Sequence, residues 1–320
     1  MNERLSVVFL DQASLDKNDL DLHRLEACAA KLTLHEATAA GRVVERIGDH
    51  QAVITNKVVI DEAVMAACPE LKLILVAATG TNNVDLDAAR RRGIHVCNCQ
   101  GYGTASVAQH SIMLMLALIT RFEAYRDAVR AGRWQRSSQF CLLDYPIGEL
   151  SGRTLGILGY GELGRAVGKL AEAFGMRVLV GALPGRGQPG RPEVSELLPQ
   201  IDVLSLHCPL TEETRDLIGA PELALMKRGS LLINAARGGL VNESALLAAL
   251  HSGHLGGAAL DVLSEEPPVS GNPLLEAEGL NLIITPHSAW GSREARQRIV
   301  EQLTENLIGF TEGRIQRSVC

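Results

Sequence analysis

The stretch Thr154–Ala182, TLGILGYGELGRAVGKLAEAFGMRVLVGA, narrows the possible folds more than any other part of this 320-residue chain. Leu155, Ile157 and Leu158 make a short apolar run that reads as a buried strand. Gly159-Tyr160-Gly161-Glu162-Leu163-Gly164 follows as a tight turn, and apolar residues then recur at helical spacing at Leu163, Val167, Leu170, Ala171 and Phe174. Met176–Val180 reads as the next strand. Alone, a GxGxxG run is weak, because glycine turns also serve packing. Between a strand and a helix it is the turn that a dinucleotide needs. Gly159 permits the turn, Gly161 lets the backbone approach a pyrophosphate, and Gly164 lets helix and strand pack closely. The first amides of the helix have no partner within it and, with the helix dipole, favour an anion.

The rest of the chain repeats the strand–helix rhythm. Ahead of the turn, strands are expected at 6–10, 33–36, 52–55, 71–78 and 94–97, with helices at 20–30, 39–47, 61–68 and 86–93 between them. A long helix is expected from Ser106 to about Arg121; its all-apolar centre suits either burial between domains or subunits or a plain core helix. Residues 130–146 read as an irregular segment carrying Trp134, Phe140 and Tyr145. After the turn, strands are expected at 201–207, 230–234, 257–261 and 281–285, helices at 221–226, 243–252 and 293–312, and a Gly/Pro-rich loop at 184–192. Apolar strands alternating with helices argue for parallel sheets covered on both faces. The chain length fits two domains at ~150 residues each. The expected division is a first domain of residues 1–100, completed by the C-terminal helix within 291–320, and a nucleotide domain of residues 101–290.

Composition excludes several classes. A hydrophobic fraction of 46% with 21% charged residues fits an ordinary globular protein. A net charge of −6 gives no reason to expect nucleic acid as a partner. The N-terminus is too polar for a signal peptide, and the longest apolar run, 111–120, falls well short of a membrane span. Seven scattered cysteines suit reduced thiols, so a cytoplasmic protein is expected. Cys97-Asn98-Cys99 and His251-xx-His254 lack the partners of a closed metal site, and no metal is expected.

In open α/β sheets, ligands bind beyond the carboxyl ends of the strands, so the residues that follow each strand are the ones to search. They are Thr79-Gly80, Ala235-Ala236-Arg237-Gly238, Asp261 with Glu265-Glu266, and His287-Ser288-Ala289-Trp290. Arg237 is either a surface arginine or, beside Gly238-Gly239, a ligand-facing one. Glu266 either caps the Pro267-Pro268 turn or serves a partner, and a lone His287 could be purely structural. Together, an arginine, a carboxylate and a histidine are a toolkit for reducing a carbonyl next to a carboxylate. A carboxylate beside histidine favours the imidazolium.

The chain resembles the D-isomer-specific 2-hydroxyacid dehydrogenase family, and more narrowly its glycerate dehydrogenase/hydroxypyruvate reductase branch. The matching residues are GYGELG at 159–164, NAARGGLV at 234–241, DVLSEEP at 261–267 and TPHSAW at 285–290. AATGTNNVDLDAARRRGI at 77–94 and GYGTASVAQH at 101–110 match as well, so the likeness spans nearly the whole chain in order. It implies two doubly wound parallel-sheet domains, a Rossmann nucleotide domain and a flavodoxin-like substrate domain. It also implies that Arg237, Glu266 and His287 are the catalytic trio, with Asp261 beside the nicotinamide. Glu162 and Leu163, joined by Thr104, would meet the pyrophosphate, with Gly159, Gly161 and Gly164 in the same cofactor-binding turn. Cys208, Leu210 and Ala235 would line the adenosine and nicotinamide sides, with Pro209, Ala236, Ala289, Arg237 and His287 also in contact with the cofactor. The backbone of Thr79-Gly80 would hold the substrate carboxylate, and Trp290 would close a small pocket or merely pack a hinge. The implied reaction is reversible NAD(P)H-dependent reduction of hydroxypyruvate or glyoxylate, by a homodimer. Bulkier 2-keto acids, a non-catalytic cofactor-sensing protein, and a methyltransferase built on the same turn are the rival readings. The cofactor-sensing protein would call for a long extra tail or a peptide-docking cleft, and the methyltransferase leaves the trio unexplained.

The cofactor is narrowed by an omission. Ala182 stands where an Asp or Glu would hold the ribose 2′-hydroxyl of NAD. NADP is therefore expected over NAD, with Arg186 or Arg191 reaching the 2′-phosphate. If those arginines stay solvated, either cofactor is accepted.

Overall fold

Apolar runs of three to five residues become eleven parallel strands in a computed structural model, which describes residues 4–320. They form two sheets in two compact units, one of residues up to 103 with 291–320, the other of residues 104–290.

In the first unit the strands are β1 (Ser6–Phe9), β2 (Lys31–Leu34), β3 (Ala52–Thr55), β4 (Leu73–Val76) and β5 (His95–Cys97), in the order β2-β1-β3-β4-β5. This is the flavodoxin-like winding. Helices α1 (His23–Cys28), α2 (Val43–Ile47), α3 (Glu62–Ala67) and α4 (Leu86–Arg92) connect them. β3 and β4 are buried along their whole length, as strands covered on both faces must be. The ends of α4 follow from local chemistry. Asp85 caps the first turn by accepting the Ala88 amide, and Gly93 takes the left-handed conformation that stops the helix.

The first sheet's winding reverses between β1 and β3, and the side chain of Asp11 fills that position. Only 6% exposed, its carboxylate accepts the amides of Asn56, Lys57 and Val58 at 2.9, 2.6 and 3.3 Å. The long helix Arg293–Thr311 returns to this unit and packs on β4 and α1. A buried polar relay joins it to the strand ends. Arg317 donates to Glu305 and Asn306, Asn306 donates to the Asn98 carbonyl at 3.0 Å, and Asn98 Nδ2 donates to the Thr79 carbonyl at 2.8 Å.

In the second unit the strands are β6 (Thr154–Leu158), β7 (Arg177–Gly181), β8 (Val203–Leu206), β9 (Leu231–Asn234), β10 (Gly257–Leu260) and β11 (Leu282–Ile284), ordered β11-β10-β9-β8-β6-β7. The helices are α5 (Thr104–Ile119), α6 (Phe122–Arg130), α7 (Glu162–Ala173), α8 (Val194–Leu197), α9 (Ala220–Leu225) and α10 (Glu243–His251). Both sheets are doubly wound and parallel, as expected, and the fold is of Rossmann type. The second sheet keeps the 2-1-3-4-5-6 winding instead of the commoner 3-2-1-4-5-6, because the 184–192 stretch stays a loop and adds no strand beyond β7.

Helix α5 supplies a core face to this unit. Ala108, Ile112, Leu114, Met115 and Leu118 are buried with Val167, Leu231, Ile233 and Ala259, which favours the core-helix reading of its apolar centre. It begins two residues before the expected Ser106. Arg121, in the left-handed conformation, breaks the chain's path so that α6 forms a separate helix that periodicity did not reveal. Among the described residues, no single helix is long and apolar enough to cross a membrane.

Candidate active site

The glycine turn lies at the switch point of the second sheet, between the ends of β6 and β8, and each glycine has its own reason to be there. At Gly159, with φ of +95°, a Cβ would collide with the backbone of His207 and Cys208 at the end of β8. At Gly164 a Cβ would overlap the Gly159 carbonyl, so helix and turn could not close. Gly161 instead faces open space. The N-terminus of α7 has no side-chain cap, leaving the amides of its first residues to an incoming anion. The turn therefore fits a pyrophosphate on the chain's own geometry. Thr104 Oγ1 donates to the Glu162 carboxylate at 2.6 Å, which ties the start of α5 to the start of α7.

Around this turn the β8 loop brings its residues into place. Burial pushes the Cys208 thiol up to about 11 and the His207 imidazole down to about 4. His207 Nε2 lies 2.8 Å from Ser205 Oγ, and its shielded Nδ1 has no partner among the described residues. Leu183, Pro184, Gly185 and Arg186 line a cavity of about 210 Å³ with Pro209 and Thr211. Ala182 is buried and offers no polar group there. Glu213 shares that cavity, and the Thr211 hydroxyl, together with its own backbone amide and Arg186, holds its carboxyl below the usual range. Arg191 lies over the Tyr160 ring at 6.0 Å. Leu163, Ala235, Ala289 and Trp290 pack together with Val107.

The trio residues stand at the carboxyl ends of β9, β10 and β11, three neighbouring parallel strands. Asn234, 1% exposed at the end of β9, shapes the arginine loop: its Oδ1 accepts the Ala236 amide and its Nδ2 donates to the Arg237 carbonyl. Arg237 is exposed and donates through Nη1 to the Ala236 carbonyl at 2.7 Å. At Gly238 a Cβ would overlap the Leu263 carbonyl, so this glycine is required by a close approach of the chain's own backbone.

The Glu266 carboxylate spans two contacts. One carboxylate oxygen accepts the Leu263 amide at 2.9 Å, and the other lies 2.6 Å from His287 Nδ1. Both side chains are about one-third exposed, at 33% and 36%. The carboxylate fixes the proton on Nδ1, and Nε2 makes no hydrogen bond among the described residues.

Asp261, expected beside the nicotinamide, has its carboxylate turned inward at 1% exposure. It accepts from Thr285 Oγ1 at 2.5 Å and from the amides of Ser288 and Ala289 at 2.9 Å each. Its backbone carbonyl takes the His287 amide at 2.8 Å. His287 sits at φ of +51°, a conformation that costs an L-residue roughly 1–2 kcal/mol and that these bonds hold in place. Neither Thr285 nor His110 is given a role by the sequence alone. The one available signal was the threonine two residues before the histidine at a strand end.

Thr79 and Gly80 lie in the first unit, just beyond β4. The Thr79 hydroxyl donates to the Cys99 carbonyl at 2.9 Å, and the amides of Thr79 and Gly80 have no acceptor among the described residues. At the metal candidate, His254 Nε2 contacts the Met226 carbonyl at 2.9 Å. Among the described residues no three potential ligands gather around a common point.

Such a sheet, with a glycine turn at its switch point and a histidine–carboxylate pair at its strand ends, defines the class of dinucleotide-dependent oxidoreductases. A family model for the NAD-binding domain of D-isomer specific 2-hydroxyacid dehydrogenases matches residues 112–289. A glycerate dehydrogenase of Methylorubrum extorquens is 45% identical over 316 residues, covering 98% of each chain. A hydroxypyruvate reductase of Blautia hydrogenotrophica is 40% identical over 97% of this chain and 98% of its own. The solved structure of an NADPH-dependent glyoxylate/hydroxypyruvate reductase from Sinorhizobium meliloti superposes with a TM-score of 0.84 at 28% identity, covering 99% of this chain and 98% of the other. The chain belongs to the D-isomer specific 2-hydroxyacid dehydrogenase family, and its cofactor is a nicotinamide dinucleotide.

Proposed function

We infer that this dehydrogenase reduces a small 2-keto acid, hydroxypyruvate or glyoxylate, to the D-2-hydroxy acid, and catalyses the reverse oxidation. The observation that carries the reading is the 2.6 Å contact between His287 and Glu266, which leaves Nε2 unengaged at the carboxyl edge of the sheet. When bound, the nicotinamide supplies or accepts a hydride at the substrate's C2. His287, protonated, donates from Nε2 to the carbonyl oxygen and recovers that proton in the reverse direction. Glu266 holds the ring orientation and balances its positive charge. Arg237 binds the substrate carboxylate and stabilises charge on the carbonyl oxygen. The division of labour follows the two units. Residues 1–100 with 291–320 bind substrate through the Thr79 and Gly80 amides, and residues 101–290 bind the cofactor.

The deciding assay follows loss of NADH or NADPH absorbance with hydroxypyruvate, glyoxylate and bulkier 2-keto acids. Oxidation by the two small acids is expected, and none across the panel would sink the reading. NADPH is the expected cofactor, because Ala182 offers no carboxylate to the ribose and Arg186 lines the neighbouring cavity. Arg186→Ala is expected to lower kcat/KM for NADPH about 10- to 100-fold, the worth of one charge-assisted bond, with little change for NADH. A wild-type preference for NADH would reverse the assignment.

The working form is a homodimer joined through α6 and the irregular segment after it, where Phe122, Trp134, Phe140 and Leu143 expose large apolar surface. Light scattering is expected to give twice the chain mass of 34.3 kDa, and Phe140→Asp with Leu143→Asp to give the single-chain mass. A monomeric wild type would refute this.

A further inference from the structure

Helix α5 reaches the catalytic histidine's loop from behind, at two points one helical turn apart. Ser106 and His110 are four residues apart and therefore share a face of the helix. Ser106 Oγ donates to the Ala289 carbonyl at 2.6 Å, and His110 Nε2 lies 3.0 Å from Thr285 Oγ1. These contacts bracket the five-residue segment that carries His287. Helix α5 is itself packed against α7, β9 and β10, so the brace stands on a rigid element.

The Thr285 hydroxyl has one proton and donates it to Asp261 Oδ1. The proton between Thr285 and His110 must then sit on His110 Nε2. Thr285 Oγ1 accepts from the imidazole and passes the constraint to the Asp261 carboxylate, which also lies 3.5 Å from Nε2. Asp261 in turn holds the amides of Ser288 and Ala289 through its side chain and that of His287 through its carbonyl. His287 needs this hold, because its left-handed backbone is not one it would keep unaided. The His110 side chain is only 15% exposed, and its contacts are to Thr285 and Asp261.

We propose that His110 is a positioning residue of the reaction, fixing the register of His287 through Thr285 and Asp261. The proposal rests on the reading of His287 as the proton donor. Steady-state kinetics on the full-length chain, with cofactor affinity measured separately by NAD(P)H fluorescence, test it. His110→Leu is expected to lower kcat about 10- to 100-fold, the scale of a misplacement near 1 Å, while cofactor Kd and keto-acid KM stay within about threefold. His110→Gln, which restores an N–H donor, should recover most of the rate. Thr285→Val, which keeps the volume and removes the hydroxyl, should reproduce the loss and add little to His110→Leu. The Thr285 variant also decides the matter if His110→Leu fails to fold. Unchanged kcat in either variant overturns the proposal, as does an equal rise in cofactor Kd or a failure of glutamine to rescue. A wild-type chain inert toward every keto acid would instead remove the functional reading beneath it.

Discussion

Replacing His287 with alanine is expected to lower kcat by ~10²–10⁴, the range that a positioned general acid contributes. In free energy this is roughly 3–5 kcal/mol of transition-state stabilisation. The size follows from the arrangement. Glu266 secures Nδ1, Asp261 secures the backbone, and the one ring nitrogen left is Nε2. Alanine removes that donor, and water must replace it. Cofactor affinity should change little, because the turn at Gly159 and the cavity at Arg186 are built from other loops. The measurement is kcat against cofactor Kd for His287→Ala. A variant with normal turnover would take the acid–base role away from this residue.

Arg237→Ala is expected to reduce kcat/KM for the keto acid by ~10²–10⁴, since two charge-assisted hydrogen bonds contribute about 1.5–3 kcal/mol each. Both KM and kcat should suffer, because the guanidinium serves the carboxylate in the ground state and the carbonyl oxygen in the transition state. One N–H already anchors the side chain to the Ala236 carbonyl, which leaves the remaining donors of the fork for substrate. Arg237→Lys should recover only part of the loss, because an ammonium cannot present two parallel donors. Normal constants for Arg237→Ala would sink this assignment, and complete rescue by lysine would show that charge alone suffices.

The architecture was legible because its determinants are local. Buried parallel strands read as short apolar runs, and the glycine spacing at 159–164 belongs to a single turn. Helix α6 was missed because Arg121 interrupts the pattern with a left-handed residue, a break that composition does not mark. The winding of the second sheet depends on whether 184–192 becomes a strand, and a Gly/Pro-rich loop does not announce its own path. At the site, Arg237, Glu266 and His287 are legible as residues that follow three strands, and the sheet order makes those strands neighbours. His110 is not legible in that way, because it comes from a helix 175 residues away from its partner Thr285. The approach of Gly238 to the Leu263 carbonyl was hidden for the same reason, since the two are distant in sequence. Long-range pairings of this kind leave no trace in spacing.

The two sheets are wound alike where the chain doubles back, yet their switch points are occupied differently. In the first unit the anion is already there, as a side chain. The Asp11 carboxylate receives the three consecutive amides at 56–58 that a phosphate oxygen would otherwise collect. An incoming dinucleotide would meet a like charge and donors already spoken for. A single aspartate thus closes at one switch point, from within the chain, the row of amides that the other leaves to a ligand.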